Sequence, residues 1–232
     1  MVSQDLMTEE RVSGTTEGYK IFAIGDIHGC LWSLEKLLNI LPVNWSKDLV
    51  IFLGDYIDRG PDPKGVIEKV LELKELYRDK IISLKGNHEW MFERFLKGID
   101  IDIFLYNGGE TTLKSYYKNG KLEIPEDHLK FLKELKLYYE TQDYIFVHAG
   151  LRPGKKLEEQ NEKDLLWIRE SFYFSEYKFP KTVIFGHTPF YTPLILDDRI
   201  GIDTGCVYGG KLTAIELPSK KIYQIDCGGE II

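Results

Sequence analysis

Five histidines punctuate this chain, and four of them (His28, His88, His148 and His187) sit in segments of one kind: "IGDIHG", "LKGNHE", "FVHAG" and "FGHTP". In each, an apolar run ends and a histidine follows close to Gly, Asp or Asn. One such histidine would read as an ordinary satisfied loop side chain. Four at the same structural address point to a site, because the strand ends of an α/β sheet are where sites form. Aspartates join them. Asp26 and His28 are two residues apart, so an extended segment aims both side chains the same way. "GDYIDRG" adds Asp55, and "GNHE" adds Asn87, whose amide oxygen is a hard, neutral ligand. The set Asp26, His28, Asp55, Asn87, His148 and His187 mixes nitrogen with oxygen, which suits manganese, iron or zinc better than calcium or magnesium alone. Six ligands exceed one tetrahedral zinc site and suit two adjacent divalent metals sharing a carboxylate, with Asp55 as the natural bridge.

The elements that must carry these residues are legible in the hydrophobic pattern. "KIFAIG" (20–25), "LVIFLG" (49–54) and "KIISLKG" (80–86) read as strands, and "LWSLEKLLNIL" (31–41) and "PKGVIEKVLELKELY" (63–77) as helices, the second with Pro63 in its first turn. This βαβαβ order predicts a largely parallel sheet covered by helices. Residues 88–137 break the rhythm with mostly helical patterns and a glycine-marked loop at "YNGGE", and read as a helical insertion. Strands follow at "YIFVHAG" (144–150) and "TVIFGH" (182–187), then short runs at "LIL", "RIGID", "KLTAIEL" and "KIYQID" that suggest a second, mixed or antiparallel sheet. The expected fold is α/β: a four-layer α/β/β/α sandwich of two mixed sheets flanked by helices. Residues 19–232 then form a single domain, after a loosely attached, polar segment at 1–18.

Composition bounds the remainder. At 232 residues, 43% apolar and 29% charged, the chain fits an ordinary globular domain. Its apolar runs are too short to span a bilayer, and the acidic start resembles neither a secretory signal nor a transit peptide. Three widely spaced cysteines, Cys30, Cys206 and Cys227, argue against a disulfide framework or zinc knuckle and for inert thiols in a reducing cytoplasm. A net charge of −7 without a basic stripe disfavours nucleic acid and anionic membranes as partners. His128, in the amphipathic stretch "PEDHLKFLKEL", reads as a surface residue. Asp203, in "GIDTGCVYGG", reads as a turn former rather than a neighbour of the metals. Asn107 either faces the cleft or starts a helix. The aromatic run "FYFSEYKF" (172–179) reads as packing, with a groove lining as the other reading.

Taken in order, "GDIHG", "GDYIDRG", "GNHE", "HAG" and "GH" resemble the signature of the calcineurin-like metallophosphoesterases, over about Ile21 to Gly210. The GDxxDRG and GNHE forms are similar to those of the bacterial and bacteriophage-type serine/threonine branch of the phosphoprotein phosphatases. The resemblance implies that Asp26, His28 and Asp55 hold one metal, and Asp55, Asn87, His148 and His187 the other, manganese being the first candidate. It implies attack on phosphorus by a metal-bridged hydroxide. His88 is then the general acid for the leaving oxygen, oriented and kept protonated by Asp58. Arg59 matches phosphate oxygens with its planar fork, Arg169 resembles a second phosphate arginine, and Arg152 is its rival, more suited to the rim. Two divalent ions, two carboxylates and a hydroxide sum to about +1, which suits an anionic phosphoryl group. Glu89 completes the motif without a role beyond a helix cap.

The expected activity is hydrolysis of phosphomonoesters, phosphoserine and phosphothreonine on proteins first and phosphotyrosine within reach. The alternative is a symmetrical diadenosine tetraphosphate hydrolase, whose relatives carry alanine in place of the DRG aspartate and aspartate in place of the GNHE glutamate. Asp58 and Glu89 lean away from it. A catalytically dead scaffold is disfavoured because every ligand position, with His88 and Asp58, is filled. A nuclease is disfavoured by charge.

Overall fold

The structure is a computed structural model and describes residues 18–228. The expected loose segment at 1–18 therefore lies almost wholly outside the described residues. The chain runs β1 (Ile21–Ile24), α1 (Leu31–Ile40), β2 (Leu49–Phe52), α2 (Pro63–Tyr77) and β3 (Ile81–Ser83). The next stretch holds α3 (Asn87–Leu96), α4 (Ile101–Phe104), α5 (Glu110–Tyr116), the hairpin β4 (Tyr117–Lys118) and β5 (Lys121–Leu122), and α6 (Glu126–Glu134). It ends with β6 (Tyr138–Glu140), β7 (Tyr144–Val147), α7 (Glu162–Trp167), α8 (Glu170–Tyr173), β8 (Thr182–Phe185), β9 (Leu194–Ile195), β10 (Arg199–Gly201), β11 (Lys211–Leu217) and β12 (Lys221–Asp226).

Two five-stranded mixed sheets result, ordered β12-β11-β1-β2-β3 and β6-β7-β8-β10-β9. Strands alternate their side chains between faces, and here both faces are covered. Ile21 and Ala23 of β1 meet Phe146 of β7 and Ile184 of β8 in a core between the sheets. Phe22 and Ile24 point the other way, onto Leu34 and Leu37 of α1 and Val66 and Val70 of α2. Ile145, Val147, Val183 and Phe185 back the second sheet against Leu165 of α7 and Phe172 of α8. The four layers are therefore α/β/β/α. The C-terminal hairpin differs from expectation: β11 and β12 join the first sheet, β11 pairing antiparallel with β1, not the second. Short intervening turns suggested one run of strands, but β11 crosses back to cover the open edge of β1.

Three further expectations are corrected. Cys206 and Cys227 form a disulfide, with Cα atoms 5.2 Å apart across 21 residues, while Cys30 is a buried thiol outside it. The argument for a reducing compartment rested on unpaired thiols and loses that support. His128 is buried, its Nδ1 2.7 Å from the Tyr116 hydroxyl, so it is an interior residue of the helical insertion. Asp203 does form the expected turn, its Oδ1 accepting the Gly205 N–H at 2.9 Å, but it is also buried and lines the cleft described below, beside the candidate metal ligands. Among the described residues no helix is long and apolar enough to cross a membrane.

In the aromatic run at 172–179, Phe172, Tyr173 and Phe179 pack while Phe174 and Tyr177 are exposed, and a buried cation holds the segment. Phe172 and Phe179 flank the Arg199 guanidinium, which donates to the backbone carbonyls of Phe172, Ser175 and Tyr177 and to Asp198. Removing one partner of such a cluster strands the others. Arg199→Met is expected to destabilise the fold by about 3–5 kcal/mol, read as a lower urea midpoint at unchanged slope. A midpoint equal to that of the parent protein would show that the guanidinium does not hold this segment.

Candidate metal centre and active site

The strands of both sheets end at one cleft of about 340 Å³, lined by His28, Asp55, Asn87, His88 and His187, with Arg59, Asn107, Trp167, Arg169, Asp203 and Tyr208 around them. The loop after β1 carries Asp26 and His28, that after β2 carries Asp55, Asp58 and Arg59, and α3 opens on Asn87 and His88. His148 and His187 follow β7 and β8. His28, Asp55, Asp58, Arg59 and His187 all take left-handed backbone, with φ between 47° and 69°. Each such residue costs about 1–3 kcal/mol and persists only where surrounding contacts over-determine it. Those contacts are present. The His28 N–H donates to the Asp55 carbonyl at 2.8 Å, and the Arg59 N–H to the Gly108 carbonyl at 3.0 Å. The His187 N–H donates to the Asp26 carboxylate at 3.0 and 3.1 Å.

Glu89 is the main brace. Fully buried, it accepts the N–H of Asp55 at 2.9 Å, of Tyr56 at 2.8 Å and of Gly86 at 2.9 Å. It thus caps α3 and also clamps the Asp55 loop, a second role that the motif did not disclose. Burial, with the Asp55 carboxylate beside it, pushes its carboxyl up to about 8 against those three donors. Gly86 has to be glycine, because a Cβ there would lie 2.0 Å from Asp55 Oδ1.

The candidate ligand atoms converge in a way that a cation satisfies. His148 Nδ1 donates to the Leu53 carbonyl at 2.9 Å, and burial lowers the imidazole's pKa, so its Nε2 is a bare lone pair. That lone pair faces the Asn87 amide oxygen at 2.9 Å and Asp55 Oδ1 at 3.5 Å. His187 Nδ1 lies 2.9 Å from the same amide oxygen, and its buried Nε2 has no hydrogen-bond partner. Ligands about 2.1 Å from one small cation stand about 3 Å apart when at right angles, so the donor set fits a divalent metal. A second group comprises His28, Asp55 and His88, with Asp55 common to both. His28 Nδ1 donates to the Ile57 carbonyl at 2.9 Å, leaving Nε2 as acceptor toward the cleft. Arg59 Nη1 takes that lone pair at 2.8 Å, a contact that a metal on His28 would replace. Burial works to raise Asp55, and the surrounding histidines, His148 foremost, outweigh it and hold it well below the usual carboxylate range. Asp26 belongs to neither group of close ligand atoms. It is buried, and burial together with the Asp203 and Asp55 charges raises it well above the usual range.

His88 is held differently. Its Nδ1 lies 2.6 Å from Asp58 Oδ2, which leaves the other ring nitrogen for the cleft. Asp58 is itself fixed from the insertion: the Thr112 hydroxyl donates to Oδ1 at 2.5 Å, and the Asp58 N–H donates to Thr112 Oγ1 at 3.0 Å. Asn107 reaches the cleft as well, its amide donating to the Ile103 carbonyl at 2.8 Å. Arg169 is exposed at the cleft, whereas Arg152 is bound to Asp164 of α7 and does not line it. Thr112, Trp167, Pro189 and Tyr208 carry no motif. The glycines bracketing Tyr208 in "GCVYGG" were the one signal for that turn.

A sequence profile for calcineurin-like phosphoesterases matches residues 19–226. The chain belongs to this family. Two relatives named asymmetrical bis(5'-nucleosyl)-tetraphosphatase PrpE are similar to it. The one from Bacillus cereus (strain Q1) is 31% identical over 87% of this chain and 92% of its own length. That from Anoxybacillus flavithermus is 29% identical over the same shares. Among solved structures, a candidate diadenosine tetraphosphatase superposes with a TM-score of 0.73 at 24% identity, covering 93% of this chain and 96% of that one. A serine/threonine phosphatase from Saccharomyces cerevisiae gives 0.65 at 17% identity, covering 91% and 81%. These structures share the two-sheet phosphoesterase fold. Metal ligation in such a phosphoesterase depends on the groups behind the ligands, whose loss costs about 10–100-fold in affinity. Glu89→Ala leaves three backbone N–H groups around Asp55 unpaired, and is expected to weaken manganese binding by about that factor, measured by competition with a chelator. Unchanged affinity would mean that the Asp55 loop holds itself.

Proposed function

We propose that this phosphoesterase hydrolyses bis(5'-nucleosyl) tetraphosphates asymmetrically, giving a nucleoside triphosphate and a monophosphate. The observation carrying this reading is the likeness to relatives of that name over 87% of this chain and 92% of theirs. It moves the substrate from the phosphoprotein, the leading expectation from sequence, toward its nucleotide alternative, with cleavage asymmetrical instead of symmetrical. Asp58 and Glu89 lean only against a symmetrical hydrolase, so they are compatible with this reading.

Asp26, His28 and Asp55 would hold one divalent metal and Asp55, Asn87, His148 and His187 the other, manganese first and iron or zinc next. When bound, the pair supplies Lewis acidity and a nucleophile at neutral pH. The chain's own groups do the rest. Arg59 and Arg169 bind phosphate oxygens and orient the scissile group. His88, oriented by Asp58 and through it by Thr112, delivers a proton from its free ring nitrogen to the leaving oxygen. Trp167 and Pro189 narrow the water-accessible space around that transfer.

The substrate class sets how much the proton matters. A triphosphate leaves readily as an anion, whereas a serine alkoxide does not. His88→Asn is therefore expected to lower turnover of phosphoserine peptides by about 100-fold or more, and of diadenosine tetraphosphate by distinctly less. Equal losses on both would remove His88 from the acid role. The reading itself is tested by stripping metals, restoring manganese, and comparing diadenosine tetraphosphate with phosphoserine and phosphothreonine peptides. A higher kcat/KM for the nucleotide with ATP and AMP as products supports it. Preference for the peptides, or two ADP, overturns it.

A further inference from the structure

Tyr208 stands at the mouth of the cleft with 61% of its surface exposed, yet its backbone is tightly fixed. Its short 3-10 turn, Cys206–Tyr208, lies between left-handed Gly205 and Gly209. The Tyr208 and Gly210 N–H groups both donate to the Gly205 carbonyl at 2.9 Å, and the Gly205 N–H donates to Asp203 Oδ1 at 2.9 Å. The Cys206–Cys227 disulfide ties the start of the turn to the end of β12. A large aromatic ring is thus presented to solvent on a rigid support, which lowers the ordering cost of any ring that stacks on it. The Arg59 guanidinium lies over the ring, 5.5 Å from its centroid, and also lines the cleft. Arg59 therefore covers one side of the ring beside the cleft, and the ring's large exposed area leaves the other side open to a planar group. Tyr106, Phe174 and Tyr191 are exposed too, but none of them lines the cleft.

We infer that Tyr208 is a stacking platform for the nucleobase next to the scissile phosphate. The inference rests on the nucleotide reading above and assigns part of its substrate recognition. Stacking tolerates any base, so the platform favours nucleotides as a class over bare polyphosphates without choosing among bases.

The test compares a matched pair that resists hydrolysis, α,β-methylene-ADP and methylenediphosphonate, binding to the manganese-loaded protein by calorimetry. The nucleoside is expected to add about tenfold or more in affinity. Tyr208→Ala should remove that gain and Tyr208→Phe should keep it. No gain in the parent protein, or a gain that survives Tyr208→Ala, overturns the platform while leaving the hydrolysis assay to judge the nucleotide reading separately. Loss of phenyl phosphate binding in Tyr208→Ala, with the nucleotide gain intact, overturns it in favour of an aryl phosphoester.

Discussion

The structure turns on an unfavourable arrangement: neutral lone pairs and carboxylate oxygens brought face to face. The Asn87 amide oxygen sees His148 Nε2 and His187 Nδ1 at 2.9 Å each, and Asp55 stands beside them. Burial strips these groups of water, lowering the pKa values of His28, His148 and His187 so that the rings stay neutral and available as ligands. His148 Nε2, the Asn87 amide oxygen and Asp55 Oδ1 present lone pairs to one another and so repel. What holds the set together is the scaffold, and divalent metal at its centre would offset its cost.

The scaffold meets this demand through backbone more than side chains. Two sheets buried on both faces fix where five loops begin, and three of them, after β1, β2 and β8, then take left-handed turns that re-aim side chains within one or two residues. A strained loop can relax, so each is tied to a different element. Glu89 of α3 holds the loop after β2, Asp26 after β1 holds His187 after β8, and the Leu53 carbonyl holds His148 after β7. Ligands are cross-braced between sheets, and the two halves of the sandwich cannot slide without breaking the centre.

How much of this was legible in the sequence follows from the range of the interactions. β1, α1, β2, α2 and β3 were readable because doubly buried strands are continuous apolar runs and α2 announces itself with Pro63 and the spacing of Val66, Ile67, Val70 and Leu73. The gathering of His28, Asp55, His88, His148 and His187 was readable because each sits beside a strand end. Contacts made over long separations were not. Thr112 is 54 residues from Asp58, in an insertion whose helical pattern says only that it packs. Cys206 and Cys227 carry no close spacing, and their pairing depends on the β11–β12 register, which sets Lys211 against Asp226 and brings the residues just outside the hairpin together. His128 sits on an amphipathic helix whose second face is covered by Tyr116, so its polar surroundings in sequence were misleading.

The division between what was readable and what was not matches a division of labour in the site. The inner ring of candidate ligands, with His88 and Asp58, would perform chemistry common to any phosphoryl group, and its motif forms are shared by relatives named for very different phosphates. Choice among substrates has to come from the outer parts of the cleft, where Asn107 from the insertion, Arg169 after α7 and Tyr208 before β11 arrive from unrelated segments. Arg59 belongs to both levels, since it is in the DRG motif yet touches the Tyr208 ring and His28. A motif residue therefore reports the reaction, and only its non-motif neighbour reports the substrate. That is why "GDYIDRG" predicts phosphoryl transfer well and distinguishes a phosphoprotein from a dinucleotide poorly: the residue that would tell them apart lies 149 positions further on, on a turn built by glycines and a disulfide.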